Sequence, residues 1–105
     1  MTDKVLVLTT AGSEQEARKI ANELVERKLA ACVNIVPRIQ SVYRWEGKVE
    51  SAEEFLLIIK TAKTRTEDVK VAIRELHSYD LPECIVISIE SGSEKYLKWM
   101  EESVS

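Results

Sequence analysis

Glycine, histidine and cysteine are scarce in this chain of 105 residues, and each scarcity excludes a kind of site. The three glycines are isolated, which excludes a glycine-rich loop that cradles phosphates. Two cysteines and one histidine supply fewer ligands than the four that a closed structural zinc site uses. Because the single histidine and the two cysteines lie in no local catalytic signature, we expect no conventional enzyme.

A basic surface and long apolar runs are also missing. The net charge of −3 gives no electrostatic footprint for nucleic acid or for an anionic membrane. No apolar run approaches the roughly 20 residues needed to cross a bilayer. Residues 1–4 lead into a strand-like segment without the basic and apolar regions of a secretory signal. We therefore expect a cytoplasmic protein with reduced thiols and with neither a nucleic-acid nor a membrane partner.

The composition of the chain is typical of one globular domain. It is 45% hydrophobic and 31% charged, and its length suits a single domain over residues 1–105. Its periodicity predicts an α+β, ferredoxin-like βαββαβ fold. We expect an antiparallel four-stranded sheet with the helices on one face, a long hairpin between strands two and three, and a short C-terminal helix. The predicted strands cover residues 5–10, 33–45, 48–62 and 84–90, and the predicted helices cover 14–28, 65–77 and a short stretch after 93.

Local signals refine these elements. Ser13 with Glu16, and Thr64 with Glu67, have the spacing of capping boxes, so each pair predicts the start of a helix. Pro37 interrupts the second strand and cannot donate a hydrogen bond to a neighbouring strand. We therefore expect this strand at a sheet edge, or with a bulge at the proline.

The lengths of strands two and three predict an assembly. Each spans about 14 residues, or roughly 46 Å, and the first helix covers about half of that. The hairpin must then overhang its own domain, and strand three is apolar on both faces. A monomer would leave this surface in water, so we predict a closed homo-oligomer. The overhanging residues that need a neighbour are Val42, Tyr43, Trp45 and Val49.

Three residues are candidate metal ligands. Imidazole suits Cu(II) and thiolate suits Cu(I), so His77 is the first candidate, and Cys32 and Cys84 are lesser ones. An oligomer would supply His77 once per subunit at a shared interface. The structural alternatives are that His77 sits in the last turn of a helix and that both cysteines are small buried hydrophobes.

Two charged residues on strand three form a second candidate site. Glu54 and Lys60 share one face of the strand and flank two apolar residues. Buried charges are costly unless they are paired, so these residues either form a structural ion pair or line a polar pocket.

Five segments, in order and at matching spacing, resemble the CutA divalent-cation tolerance family over essentially the whole chain. This resemblance implies a ferredoxin-like domain, a tight homotrimer, a cytoplasmic location and a link to tolerance of divalent metals, copper above all. The segments are residues 29–34 (LAACVN), 43–48 (YRWEGK), Glu54 with Lys60 and Thr61, 77–83 (HSYDLPE) and 96–99 (YLKW).

The chain departs from the family pattern at positions linked to copper. The family associates copper with a cysteine near the end of strand one and with paired histidines. Strand one here ends in Leu8, Thr9 and Thr10, and Leu76 precedes the histidine. Of the residues that the family associates with copper, only His77 has a counterpart in this chain. Ser78 stands where the family commonly has proline.

Two functions fit these observations. The first is a homotrimeric divalent-cation tolerance protein that requires no cofactor and binds copper, or another divalent cation, weakly. The alternative is a trimeric small-molecule sensor, similar in architecture to PII regulators, or a signalling and anchoring scaffold. A sensor would hold its ligand in a pocket between subunits, lined by Trp45, Glu54, Lys60, Tyr79 and Glu83.

Overall fold

A computed structural model describes residues 2–105 of the protein. The elements are β1 (Lys4–Ala11), α1 (Glu14–Glu26), β2 (Cys32–Trp45), β3 (Lys48–Ala62), a single 3-10 turn (Lys63–Arg65), α2 (Thr66–Leu76), β4 (Ile85–Ser88) and α3 (Glu94–Ser103). This order confirms the predicted ferredoxin-like βαββαβ fold with a short C-terminal helix. Within these residues, no helix combines the length and the apolar character needed to span a membrane.

The four strands form one antiparallel sheet in the order β2-β3-β1-β4. β1 pairs along its whole length with β3, from Lys4 opposite Ala62 to Ala11 opposite Phe55. β4 is short and pairs only with β1. The two edges of the sheet are therefore β2 and β4.

The main core lies between the sheet and the helices α1 and α2. Side chains alternate along β3, so Leu57 and Ile59 point toward these helices and are fully buried. Each such side chain stabilises the fold by about 1.5–3 kcal/mol. The helices contribute Ile20 and Ile73 to the same cluster. Both main helices thus share one face of the sheet, as predicted.

Helix α3 packs at one end of the opposite face. Met100 contacts Ala62 in a second, smaller core cluster, and Ala62 points away from α1 and α2. Lys4 anchors the helix through an ion pair of 2.9 Å with Glu101. The guanidinium of Arg65 donates two hydrogen bonds, of 2.9 and 2.7 Å, to the carbonyl of Val104.

Only the first predicted capping box caps a helix. The hydroxyl of Ser13 accepts a 3.2 Å hydrogen bond from the Glu16 N–H at the start of α1. The Thr64 prediction is wrong: Thr64 lies within the 3-10 turn, and α2 begins two residues later without a side-chain cap. The turn replaces the cap because its own i→i+3 hydrogen bonding satisfies backbone groups at the helix start.

Both alternatives for Pro37 are confirmed, since β2 is an edge strand and carries a bulge there. Val36 pairs with Leu56 and Ile39 pairs with Glu54, so Pro37 and Arg38 together oppose a single residue of β3. Arg38 adopts a positive φ of 55°. Because the bulge adds one residue to β2, it changes which side chains of β2 beyond Arg38 share a face with Glu54.

The β2–β3 hairpin extends beyond the rest of the domain. The molecule measures 44 × 25 × 22 Å, and its radius of gyration of 14.2 Å exceeds the roughly 13 Å typical of this length. Glu46 and Gly47 form the tip, both with positive φ as in a type I′ turn. Val42 and Val49 are exposed, as the predicted overhang requires.

Candidate ligand-binding cleft

A cleft of about 560 Å³ lies where the hairpin meets the loop that follows α2. This volume falls within the range of small-molecule sites. We call it the Tyr79 cleft; its lining residues are Thr10, Ser41, Val42, Tyr43, Trp45, Glu54, Tyr79, Asp80, Leu81 and Glu83. They come from β1, from both strands of the hairpin and from the loop.

The β-bulge directs two aromatic side chains into the cleft. Beyond Arg38, the residues that share a face with Glu54 are Ile39 and every second residue after it. Tyr43 and Trp45 therefore lie on the Glu54 side. Without the extra residue, Val42 and Arg44 would occupy that face instead, because a shift of one residue inverts a strand. The bulge is thus a structural requirement of the cleft.

A hydrogen bond between Tyr79 and Glu54 joins the loop to β3. The phenol of Tyr79 donates to Oε2 of Glu54 at 2.8 Å. Burial of the phenol, followed by this bond and the negative charge of Glu54, raises the pKa of Tyr79 to about 12. The phenol approaches Gly12 so closely that a β-carbon there would lie 3.0 Å from its oxygen. Glycine at this position leaves room for the ring.

The loop is fixed at its start by His77, whose side chain is fully buried. Nδ1 of His77 accepts the backbone N–H of Tyr79 at 3.1 Å, so Nε2 carries the proton and donates to the carbonyl of Thr10 at 2.5 Å. The two rings of His77 and Tyr79 also contact each other in a tilted arrangement, with centroids 4.6 Å apart. His77 therefore positions Tyr79 over the cleft.

The cleft combines aromatic walls with negative charge. Its three carboxylates are those of Glu54, Asp80 and Glu83, and its lining contains no lysine, arginine or histidine. Glu54 is only 7% exposed, and among residues 2–105 its Oε1 atom has no hydrogen-bond or ion-pair partner. A buried carboxylate with one free oxygen favours a ligand that brings a donor.

Four of the five residues predicted for a pocket line this cleft: Trp45, Glu54, Tyr79 and Glu83. Lys60 lies apart, with its ammonium 3.5 Å from the hydroxyl of Tyr96 on α3. It does not form the predicted ion pair with Glu54, because six residues of extended strand keep the two side chains roughly 20 Å apart. That these residues bind a ligand between subunits stays a prediction.

Other lining residues were not predicted from the sequence. Tyr43 was assigned only to packing, since the bulge that turns it into the cleft changes the register by one residue. Asp80 and Leu81 belong to the loop, where no periodicity indicates which side chains point inward. The presence of Pro37 was the available signal for Tyr43.

The three candidate metal ligands do not meet within the protomer. Cys32 is on β2, where its thiol contacts Asn34 at 3.8 Å, and burial raises the pKa of the Cys84 thiol. Both ring nitrogens of His77 are already bonded. In the described part of the chain, no three histidine, cysteine, aspartate or glutamate residues converge on a point that could hold a metal ion. A metal role for these residues stays a prediction.

The sheet face opposite α1 and α2 is apolar and only partly covered. Side chains on this face alternate with those that enter the core. β4 leaves Ile85 and Ile87 exposed. We call this surface the open sheet face; it comprises Leu6, Leu8, Val36, Leu56, Ile58, Ile85 and Ile87. It borders the Tyr79 cleft, since Glu54, which lines the cleft, comes two residues before Leu56 and shares its face of β3.

Together, the fold and the cleft define a ferredoxin-like domain with an extended hairpin and an acidic cleft with aromatic walls. Residues 5–103 match the CutA1 divalent ion tolerance protein family, and the chain belongs to that family. This confirms the resemblance seen in the sequence.

Individual relatives support the same assignment. The chloroplastic protein CutA of Arabidopsis thaliana is 48% identical over 99 residues, which are 94% of this chain and 54% of that protein. The chain thus spans about half the length of that relative. The divalent-cation tolerance protein CutA of Thermus thermophilus is 45% identical over 98 residues, 93% of this chain and 95% of its own length. A solved structure of the Thermus thermophilus protein has a TM-score of 0.95 at 43% identity, covering 97% of this chain and 99% of that one.

Proposed function

We propose that the chain acts in divalent-cation tolerance as a homotrimer that binds a small molecule in the Tyr79 cleft. The observation that carries this proposal is the cleft itself. It joins three aromatic side chains to a buried carboxylate with a free oxygen, and it has the volume of a small-molecule site. The protein works in the cytoplasm, as the sequence led us to expect.

The homotrimer is supported by two surfaces that one protomer leaves uncovered. The open sheet face exposes Ile85 and Ile87, and the hairpin exposes Val42 and Val49. Contiguous apolar surface of this kind marks an interaction site. The edges of β2 and β4 are also free to pair with another chain. Three copies are the closed assembly that the resemblance to CutA implies, and in it a neighbour would border the cleft.

Weak, direct binding of Cu(II) is the second candidate function. One observation favours it: Nδ1 of His77 lies 3.8 Å from Oε1 of Glu16, which brings an imidazole and a carboxylate together. A copper ion there would have to displace the N–H of Tyr79, and it would need further ligands from another copy. Cys32 and Cys84 remain the lesser predicted ligands.

A thermal-shift screen of small molecules tests the first proposal. A compound that binds only the native state raises the melting temperature by mass action. We expect stabilising compounds to lose their effect in Trp45→Ala, since this exposed side chain lines the cleft. Trp99→Ala is the matched control, because Trp99 is similarly exposed on α3 and outside the cleft. A screen without hits, or hits that act equally on both variants, would exclude the cleft and favour the scaffold alternative.

Calorimetric titration with Cu(II) tests the second candidate. Binding through His77 would weaken as the pH falls, since imidazole must be neutral to ligate. It would also disappear in His77→Ala. Equal binding in both proteins, or binding independent of pH, would assign copper to surface carboxylates.

A further inference from the structure

The lining of the Tyr79 cleft indicates which charge its ligand carries. The part of the cleft that one protomer forms is lined by three carboxylates and by no lysine, arginine or histidine. Within residues 2–105, none of the carboxylates of Glu54, Asp80 and Glu83 forms an ion pair. The phenol of Tyr79 has a raised pKa, so it remains neutral and donates its proton to Glu54. These carboxylates repel an anionic ligand, whereas they attract a cation, which offsets one of the three charges.

Glu54 is the most buried of the three carboxylates, and one of its two oxygens has no hydrogen-bond partner in the described residues. Its side chain is more than nine-tenths buried, and Tyr79 occupies only Oε2. Oε1 has no partner in the described residues, although it belongs to a side chain that lines the cleft. Oε1 is not among the side-chain atoms that are closed off from solvent without a partner, so it is open to the cleft, where a charged N–H donor would supply the strongest bond to it.

The walls around this carboxylate suit an apolar body better than a bare ion. Tyr43, Trp45 and Tyr79 present aromatic rings, and Val42 and Leu81 add aliphatic surface. Aromatic faces attract cations that have been partly removed from water. A metal ion alone would leave most of a cleft of about 560 Å³ empty, and the carboxylates do not converge into a metal-binding group.

We infer that the Tyr79 cleft binds an organic cation, namely a protonated amine with an aromatic or aliphatic body. The ammonium donates to Oε1 of Glu54, and the body lies against Trp45 and Tyr43. Asp80 and Glu83 attract the cation to the mouth of the cleft. This inference rests on the proposal that the cleft is a ligand site, and it adds the chemical class of the ligand.

Three probes of similar shape and different charge test the inference: phenylethylamine, phenylethanol and phenylpropionate. At about pH 7 the amine is protonated and the acid is ionised. Calorimetric titration of the assembled protein should show the amine binding at least about tenfold more tightly than the alcohol. The carboxylate should not bind measurably. If the alcohol or the carboxylate matches the amine, or if the amine does not bind, the inferred class is wrong.

Two pairs of variants locate the interaction. Glu54→Gln preserves shape, and it should remove the preference for the amine over the alcohol. Glu53→Gln is the control, since Glu53 is exposed and points to the other face of β3. Because Glu54 is buried and its variant is at risk of misfolding, Trp45→Leu gives an independent result. Trp45→Leu should weaken binding of the amine several-fold and binding of the alcohol much less. Trp99→Leu should change the affinity for neither compound.

The outcome separates this inference from the proposal beneath it. If neutral or anionic compounds from the thermal-shift screen bind in the cleft while phenylethylamine does not, the cleft is a ligand site and the inferred class is wrong. If no compound of any charge stabilises the protein, the proposed function fails as well. A preference for the amine that survives in Glu54→Gln would place the cation elsewhere and would also overturn the inference.

Discussion

Tyr79 donates a 2.8 Å hydrogen bond to Glu54, and this bond connects the loop after α2 to the third strand of the sheet. The loop side of the bond is held by His77, which accepts the Tyr79 N–H. The strand side is the buried carboxylate at the base of the hairpin. The shape of the cleft therefore depends on one bond between elements that are distant in sequence.

Tyr79 should ionise at a higher pH than an ordinary tyrosine, and its ionisation should destabilise the fold. Its pKa rises from 10.0 to about 12, because burial and Glu54 disfavour the phenolate. A raised pKa means that the stabilisation is fully present below about pH 10 and is lost as the pH rises toward 12. We expect tyrosinate absorbance to show a late phase, which Tyr79→Phe removes. If the absorbance that the wild type shows and Tyr79→Phe lacks titrates near pH 10, the ordinary pKa of a tyrosine, burial and Glu54 do not hold the phenol in its neutral form.

Replacing His77 with alanine should cost about 2–3 kcal/mol of unfolding free energy, since the change leaves buried partners unsatisfied. The carbonyl of Thr10 and the N–H of Tyr79 both lose their hydrogen bonds. Urea denaturation measures the difference. Ser78→Ala is the adjacent control and should stay within about 0.5 kcal/mol, because its side chain is exposed. Equal stability of the two variants would show that His77 does not hold the loop.

The bulge in β2 should be sensitive to the residue at position 38. Arg38 has a positive φ of 55°, which is strongly unfavourable for a β-branched side chain. Arg38→Val should therefore destabilise the protein by about 1–2 kcal/mol. Arg44→Val makes the same exchange in ordinary extended backbone and should be close to neutral. Similar melting temperatures for the two variants would contradict the bulge geometry.

The open sheet face should fail to assemble when it carries a charge. Ile87 is 43% exposed on this face, and Val71 is equally exposed on α2. Ile87→Glu would bury an unpaired carboxylate in an interface and should lower the mass measured by light scattering. Val71→Glu should retain the mass of the wild type. Dissociation by both variants, or by neither, would show that the open sheet face is not the interface.

Much of the fold was predictable because periodicity reports burial directly. The alternation of Leu57 and Ile59 with Leu56 and Ile58 indicated a strand with two apolar faces. The apolar side chains of α1 recur at helical spacing in the same way, so that helix was evident. The helix start predicted at Thr64 was wrong because the spacing of a capping box is a property of the sequence alone. The start of α2 depends in addition on how the chain leaves β3, which it does through the 3-10 turn.

The cleft was only partly predictable, since its residues meet through tertiary contacts. Glu54 and Tyr79 lie 25 positions apart, and nothing local in the sequence indicates their hydrogen bond. Lys60 was grouped with Glu54 because both point to one face of β3, yet it turns toward Tyr96. Strand periodicity predicts the face of a residue and leaves its partner undetermined. The partner depends on which loop or helix covers that part of the sheet.

The most direct test of the central claim is native mass spectrometry of the purified protein with a compound from the thermal-shift screen. Each chain contributes one Tyr79 cleft. We predict the mass of three chains, with up to three molecules of the compound bound, and loss of this occupancy in Trp45→Ala. A protein that remains monomeric, or a trimer whose occupancy is unchanged in Trp45→Ala, would contradict the claim that a homotrimer binds its ligand in the Tyr79 cleft.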